Sequence, residues 1–340
     1  MSHMSLSQAG PVVPGRGYST AAALPLVVAL AIITAMGGAA PASGAEPTKE
    51  TARVATVRAL STAPTSTSSA AAPAPIRVAV AGDIACEAPY TPTQFTCQHD
   101  ATARLISSRS VDAVLPLGDT QYESARLTDY EASYDPTWGA FEELTYPVIG
   151  NHEYRDPGAQ GFLSYFGARV PNQSVWYASD VGAWRIYVLN SNCDRVDCSA
   201  QVTWLERDLA AHPRRCSLAA MHHPRFSSGE HGNSAFSARL WPTLDAHQVD
   251  LVLAGHDHDY ERFAPRRNSG AIAADGLRSF VVGTGGKSLY PFKTTLPGSR
   301  FRYAAGAGVL FLTLKERSYT WRFRTTDGTV LDSGTASCLR

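Results

Sequence analysis

The sequence has no net charge: 30 Lys and Arg are matched by 30 Asp and Glu over 340 residues. Without a positive field there is no release of phosphate counterions to drive association, which argues against a nucleic-acid-binding module. Lysine is scarce, limited to Lys49, Lys287, Lys293 and Lys315. The Arg- and Ala-rich balance is that of a GC-rich coding sequence and has no functional meaning. No apolar run reaches the roughly 20 residues of a membrane-spanning helix; the candidate, Ala21–Met36, is shorter and interrupted by Pro25. No C-x-x-C pair is present, which argues against a Cys-rich zinc site. There is no internal repeat. At 44% hydrophobic and 18% charged residues, the chain is neither wholly disordered, nor a collagen, nor a coiled coil.

Arg16, the apolar stretch 21–36 and the small residues from Gly37 to Ala45 together read as an export signal over residues 1–45. The expected location is secreted or extracellular, or the cell envelope if the signal stays uncleaved as an anchor. Residues 46–75 are mostly Ala, Thr, Ser and Pro and lack an aliphatic pattern, so they read as a disordered linker. The folded domain is expected over 76–340. Cys86, Cys97, Cys193, Cys198, Cys216 and Cys338 follow the signal, an even set that reads as disulfides. Proximity suggests Cys86–Cys97 and Cys193–Cys198, leaving Cys216–Cys338.

Within the domain, short apolar runs end in Gly or another small residue and are followed at once by polar groups able to bind metal. Ile76–Ala81 leads to Gly82-Asp83, Ala113–Leu117 to Gly118-Asp119, and Tyr146–Ile149 to Gly150-Asn151-His152. Leu218–Met221 leads to His222-His223, and Leu251–Ala254 to Gly255-His256-Asp257-His258. Such runs fit strands buried on both faces. Helices are expected over 101–108, 201–211 and 234–247, with Val202, Leu205 and Leu209 on one stripe of the second. Strands alternating with helices imply an α/β fold, in which ligands gather beyond the carboxyl ends of strands. Antiparallel ribbons are expected around turns at 179–182, 315–318 and Asp327-Gly328.

The strand ends supply Asp83, Asp119, Asn151, His222, His256 and His258, with Tyr122 close behind Asp119. Carboxylates and imidazoles suit hard or borderline cations. This set exceeds one tetrahedral zinc and fits two ions ~3.5–4 Å apart, a clamp used on phosphate esters. His99, His212 and His247 lie away from strand ends and read as surface residues. His223 is left open between a supporting and an exposed position.

G-D-x-x (82–85), G-D-x-x-Y (118–122), G-N-H-E (150–153), M-H-H-P (221–224) and G-H-x-H-x-Y-E-R (255–262) resemble, in that order, the calcineurin-like metallophosphoesterase superfamily. Ala85, standing where many members have His, and Tyr122, at the position of a metal-bound tyrosine, point to its purple acid phosphatase-like branch; that branch usually has Gly at position 85. The resemblance implies a four-layer α/β sandwich of two mixed β-sheets flanked by helices, in a compact form without an additional N-terminal β domain. It implies that Asp83, Tyr122 and His258 hold one ion, Asn151, His222 and His256 a second, and that Asp119 bridges them. Fe(III) is expected at the Tyr122 position, with Fe(II), Zn or Mn at the other. His152 would hydrogen-bond the substrate, and His231 would protonate the leaving group or orient the substrate.

The expected reaction is attack of metal-activated hydroxide on a phosphomonoester. A phosphodiesterase of nucleotides or phospholipids is the first alternative, and a non-catalytic secreted metal-containing binding protein the second. The partner is thus a phosphate ester, with no stable membrane span after signal cleavage. The oligomeric state is not legible. Gly283-Thr284-Gly285-Gly286-Lys287-Ser288 mimics a nucleotide phosphate-binding loop, but Val281 replaces its first Gly. It reads instead as a tight turn after a strand, at the rim of the site. Asn172-Gln173-Ser174 is a glycosylation sequon only in a eukaryotic secretory route.

Overall fold

The computed structural model describes residues 73–213 and 216–339. The expected signal and nearly all of the expected linker lie outside the described residues. In chain order the strands are β1 (Ile76–Ala81), β2 (Ala113–Pro116), β3 (Tyr177–Val181), β4 (Trp184–Val188), β5 (Cys216–Ala220), β6 (Leu251–Ala254), β7 (Tyr260–Phe263), β8 (Arg278–Val282), β9 (Ser299–Tyr303), β10 (Gly308–Leu314), β11 (Ser318–Thr325) and β12 (Val330–Ser337). The helices are α1 (His99–Ser107), α2 (Leu127–Asp129), α3 (Gln160–Tyr165), α4 (Cys198–Ala211) and α5 (Trp241–Ala246). Two mixed sheets form, ordered β12-β11-β10-β1-β2 and β3-β4-β5-β6-β8-β7-β9. Helices flank them, as the resemblance implies. Among the described residues, no helix is long and apolar enough to cross a membrane.

The continuous apolar strands occupy the positions their composition demands. β1 lies between antiparallel β10 and parallel β2, while β4, β5, β6 and β8 run parallel. Their two-sided burial explains the lack of period-2 alternation. One core, including Val80, Leu115, Ile186, Leu253, Leu310 and Phe323, fills the space between the sheets. A second packs Leu205 and Leu209 of α4 and Trp241 and Leu244 of α5 against Tyr187, Met221 and Val252. Helix α4 starts where the Asp197 carboxylate accepts from the N–H groups of Ser199 and Ala200, satisfying donors that have no partner within the helix. Buried Asp332 of β12 accepts from Tyr260 Oη (2.8 Å) and from Arg262 Nε (2.7 Å) and Nη2 (2.9 Å) of β7, latching the two sheets together. The disulfides are Cys86–Cys97, Cys193–Cys198 and Cys216–Cys338.

The structure corrects several expectations. Tyr146–Ile149 makes only isolated bridges beside β2, because Pro147 has no N–H to continue a ladder. The turn expected at 179–182 begins later: β3 runs to Val181, and Gly182 takes the positive φ of +59°. The expected helix 234–247 is shortened to a 3₁₀ turn at Ser237–Arg239 followed by α5. His99 is not on the surface. It is fully buried, edge-on to Tyr90, and burial pushes its pKa down to about 4.

Candidate metal centre

The carboxyl ends of β1, β2, β5 and β6 come together because loop backbones stitch the sheets at that level. Gly82 N–H donates to Val282 O (2.8 Å), Asp83 N–H to Gly118 O (3.1 Å) and Gly255 N–H to His222 O (2.9 Å). Asp83, Asp119 and His256 have φ of +60°, +46° and +70°, a region side-chain-bearing residues rarely enter and one that persists where packing enforces it. The motif glycines leave room for this approach. A Cβ on Gly150 would stand 2.2 Å from Asp119 Oδ1, and one on Gly118 would stand 2.7 Å from His222 Nδ1.

Two donor sets result. Tyr122 Oη lies 2.9 Å from Asp83 Oδ1, 3.0 Å from His258 Nε2 and 3.2 Å from Asp119 Oδ2. His222 Nε2 lies 3.0 Å from Asn151 Oδ1, 3.2 Å from His256 Nδ1 and 3.3 Å from Asp119 Oδ2. One oxygen of Asp119 therefore belongs to both clusters. Among the described residues, no Lys or Arg side chain pairs with Asp83 or Asp119.

The far sides of the imidazoles are fixed. His222 Nδ1 faces Leu117 O at 2.8 Å, and His258 Nδ1 faces Ser288 Oγ at 2.8 Å, which turns each Nε2 inward. His152 packs its ring 4.2 Å from that of Tyr122, with Nδ1 2.7 Å from Glu123 O. The His231 ring lies 4.4 Å from that of His256. Asn151, His223, His231, Phe236 and His256 line a cleft of about 370 Å³ opening from the centre.

Residues 76–260 match the calcineurin-like phosphoesterase family, more than half of the 340 residues. The chain belongs to that family. Purple acid phosphatase 21 of Arabidopsis thaliana is 29% identical over 282 residues, covering 73% of this chain and 60% of that protein. Purple acid phosphatase 22 of the same plant is 28% identical over 231 residues, covering 62% and 50%. The chain thus spans about half to three-fifths of the length of these relatives. A purple acid phosphatase from yellow lupin seeds shares the fold, with a TM-score of 0.66 at 22% identity over 78% of this chain and 54% of the lupin chain. The likeness to purple acid phosphatases read from the motifs is borne out.

Family membership implies a dinuclear metal site, and the observed donors fit one. Ligand atoms of Asp83, Asp119 and His222 lie within 4.8 Å of one another, as do those of His222, His223 and His256. The electrostatics point the same way. Burial opposes charge on Asp119 and His222, yet their attraction prevails: the carboxylate is held well below its usual range and His222 is raised to about 10. Burial, reinforced by Asp119 and Asp83, pushes the Tyr122 phenol well above its usual range. A cluster this charged and this buried calls for cations.

Sequence reasoning missed the residues that hold the loops. Glu153 accepts from the N–H groups of Asp119 (3.0 Å), Thr120 (2.7 Å) and Gly150 (2.8 Å), and burial, with Asp119 nearby, raises its pKa to about 7. Asp257 accepts from His231 N–H (2.6 Å), Gly232 N–H (3.2 Å) and the Ser227 hydroxyl, tying the His231 loop to the strand end that presents His256 and His258. Glu261 accepts from Ser228 N–H (2.7 Å) and Oγ (2.7 Å). Each stood inside a motif already read, and an acidic residue within a few positions of a ligand was the available signal. His223 is buried, 2.9 Å from Ser191 Oγ. The 283–288 turn sits at the rim, with Lys287 Nζ 4.7 Å from the Tyr122 ring centroid and paired to Glu123.

Proposed function

We propose that this chain is a metal-dependent phosphomonoesterase of the purple acid phosphatase type, exported by residues 1–45. One observation carries the reading: Asp119 Oδ2 is shared between the Tyr122 and His222 clusters, at 3.2 and 3.3 Å. Asp83, Tyr122 and His258 would hold one ion, Asn151, His222 and His256 the other, and Asp119 both. The phenol and carboxylates favour hard Fe(III) on the Tyr122 side; the amide and imidazoles favour Fe(II), Zn or Mn on the other. When bound, such ions activate water and neutralise phosphate charge.

The chain's own residues orient and protonate. His152, held through Glu123 O, donates a hydrogen bond to a phosphate oxygen. His231, an imidazole at the cleft wall, gives its proton to the departing alkoxide and recovers one from solvent. The disulfides support export to an oxidising compartment.

Metal analysis with an absorption spectrum, followed by turnover of an aryl phosphate and a bis-aryl phosphate, tests the reading. The expected result is two ions per chain, a visible charge-transfer band and preference for the monoester. Two ions without hydrolysis of either ester would instead support a binding protein, and preference for the diester would support a phosphodiesterase.

A further inference from the structure

We propose that the cleft beside the centre is a leaving-group subsite for a planar aromatic ring, with a nucleoside monophosphate as the substrate class. This rests on the phosphomonoesterase reading above. The cleft begins at Asn151 and His256 and ends at Phe236. Phe236 is 36% exposed, and of the large apolar side chains that reach solvent among the described residues it is the one lining this cleft.

Ring contacts run from it back to the centre without a break. Phe236 lies 5.5 Å from His223, His223 4.4 Å from His256, and His256 4.4 Å from His231. Tyr290 extends the run of rings beyond the cleft, 5.7 Å from His231 and stacked 4.2 Å from His258. The backbone presenting Phe236 is held: its N–H donates to Ser234 Oγ at 3.2 Å, and the neighbouring Ser237 hydroxyl donates to His223 O. Among the described residues, no Lys, Arg, Asp or Glu lines the cleft. A second phosphate there would find no cation, whereas a base would find ring faces to stack on.

The test compares a nucleoside 5′-monophosphate with ribose 5-phosphate on the metal-loaded protein. Both release a primary alkoxide, so intrinsic reactivity cancels and only the base differs. The expected kcat/KM ratio is about tenfold or more, the low range of single-base stacking. Phe236→Ala and Phe236→Leu should both bring it close to one, with metal content unchanged; the Leu variant keeps an apolar side chain and removes the ring. A wild-type ratio near one, or a ratio untouched by both substitutions, overturns the subsite. If neither ester is hydrolysed, the phosphomonoesterase reading fails, and the subsite is then judged by calorimetric binding of adenosine. Binding that disappears in Phe236→Ala upholds it, and no binding to the wild type ends it.

Discussion

The two halves of the metal centre share one carboxylate but differ in charge and in access. On one side Asp83, Tyr122 and His258 are buried, and the polar partners of their side chains are one another, Asp119, Ser288 and the His256 N–H, which donates to Asp83. On the other, Asn151 and His256 line the open cleft, and the shared Asp119 is the sole carboxylate among the proposed ligands. On the proposed assignment, the closed pocket with two carboxylates would retain a high-charge cation, while the open half would exchange its cation and meet substrate. That proposed division of labour would follow from which loops close over which half.

Asp119→Asn strikes both halves and should produce the largest effect: activity lost by more than about 10³-fold and lower occupancy of both ions by elemental analysis. An active, fully loaded variant would remove the shared-ligand assignment. Substitutions confined to one half sharpen the contrast. Tyr122→Phe should bleach the visible band, whereas Asn151→Ala should keep the colour and deplete the second ion. Bleaching by both, or by neither, would erase the distinction. A chelator should strip ions in sequence, the cleft-facing one first, which time-resolved metal release against absorbance will show.

Asp257→Asn touches no proposed ligand yet frees the loop of His231 on the open side. We expect kcat to fall on the order of 10- to 100-fold with colour preserved; unchanged kcat would mean that the loop needs no such anchor. Finally, Cys216→Ser with Cys338→Ser lies outside both halves. Opening a link with a sequence separation of 122 should cost about 2–4 kcal/mol of stability, read by denaturant unfolding, while both ions stay bound.

What could be read in advance followed a physical rule. β1, β2, β5 and β6 were legible because burial on both faces leaves an unbroken apolar run, and each run ended at a polar residue of the centre. The same rule failed at Tyr146–Ile149, where Pro147 removes a donor that hydrophobicity does not register. His99 was misplaced because its burial depends on Tyr90 and on Ser133, whose Oγ lies 3.3 Å away, contacts that sequence position does not reveal. Asp257 and Glu153 went unassigned for a related reason: their partners are backbone N–H groups of other loops, and backbone leaves no trace in residue identity. Phe236 fell inside the helix expected over 234–247, and the cleft it lines was not legible there.

Glu153 has one more consequence. With a single carboxylate it grips the loop after β2 and the loop before Asn151, so the distance between them is set by the polypeptide itself. The spacing of the candidate ligands on these two loops is therefore built into the fold, and removing the Glu153 carboxylate would loosen both loops together.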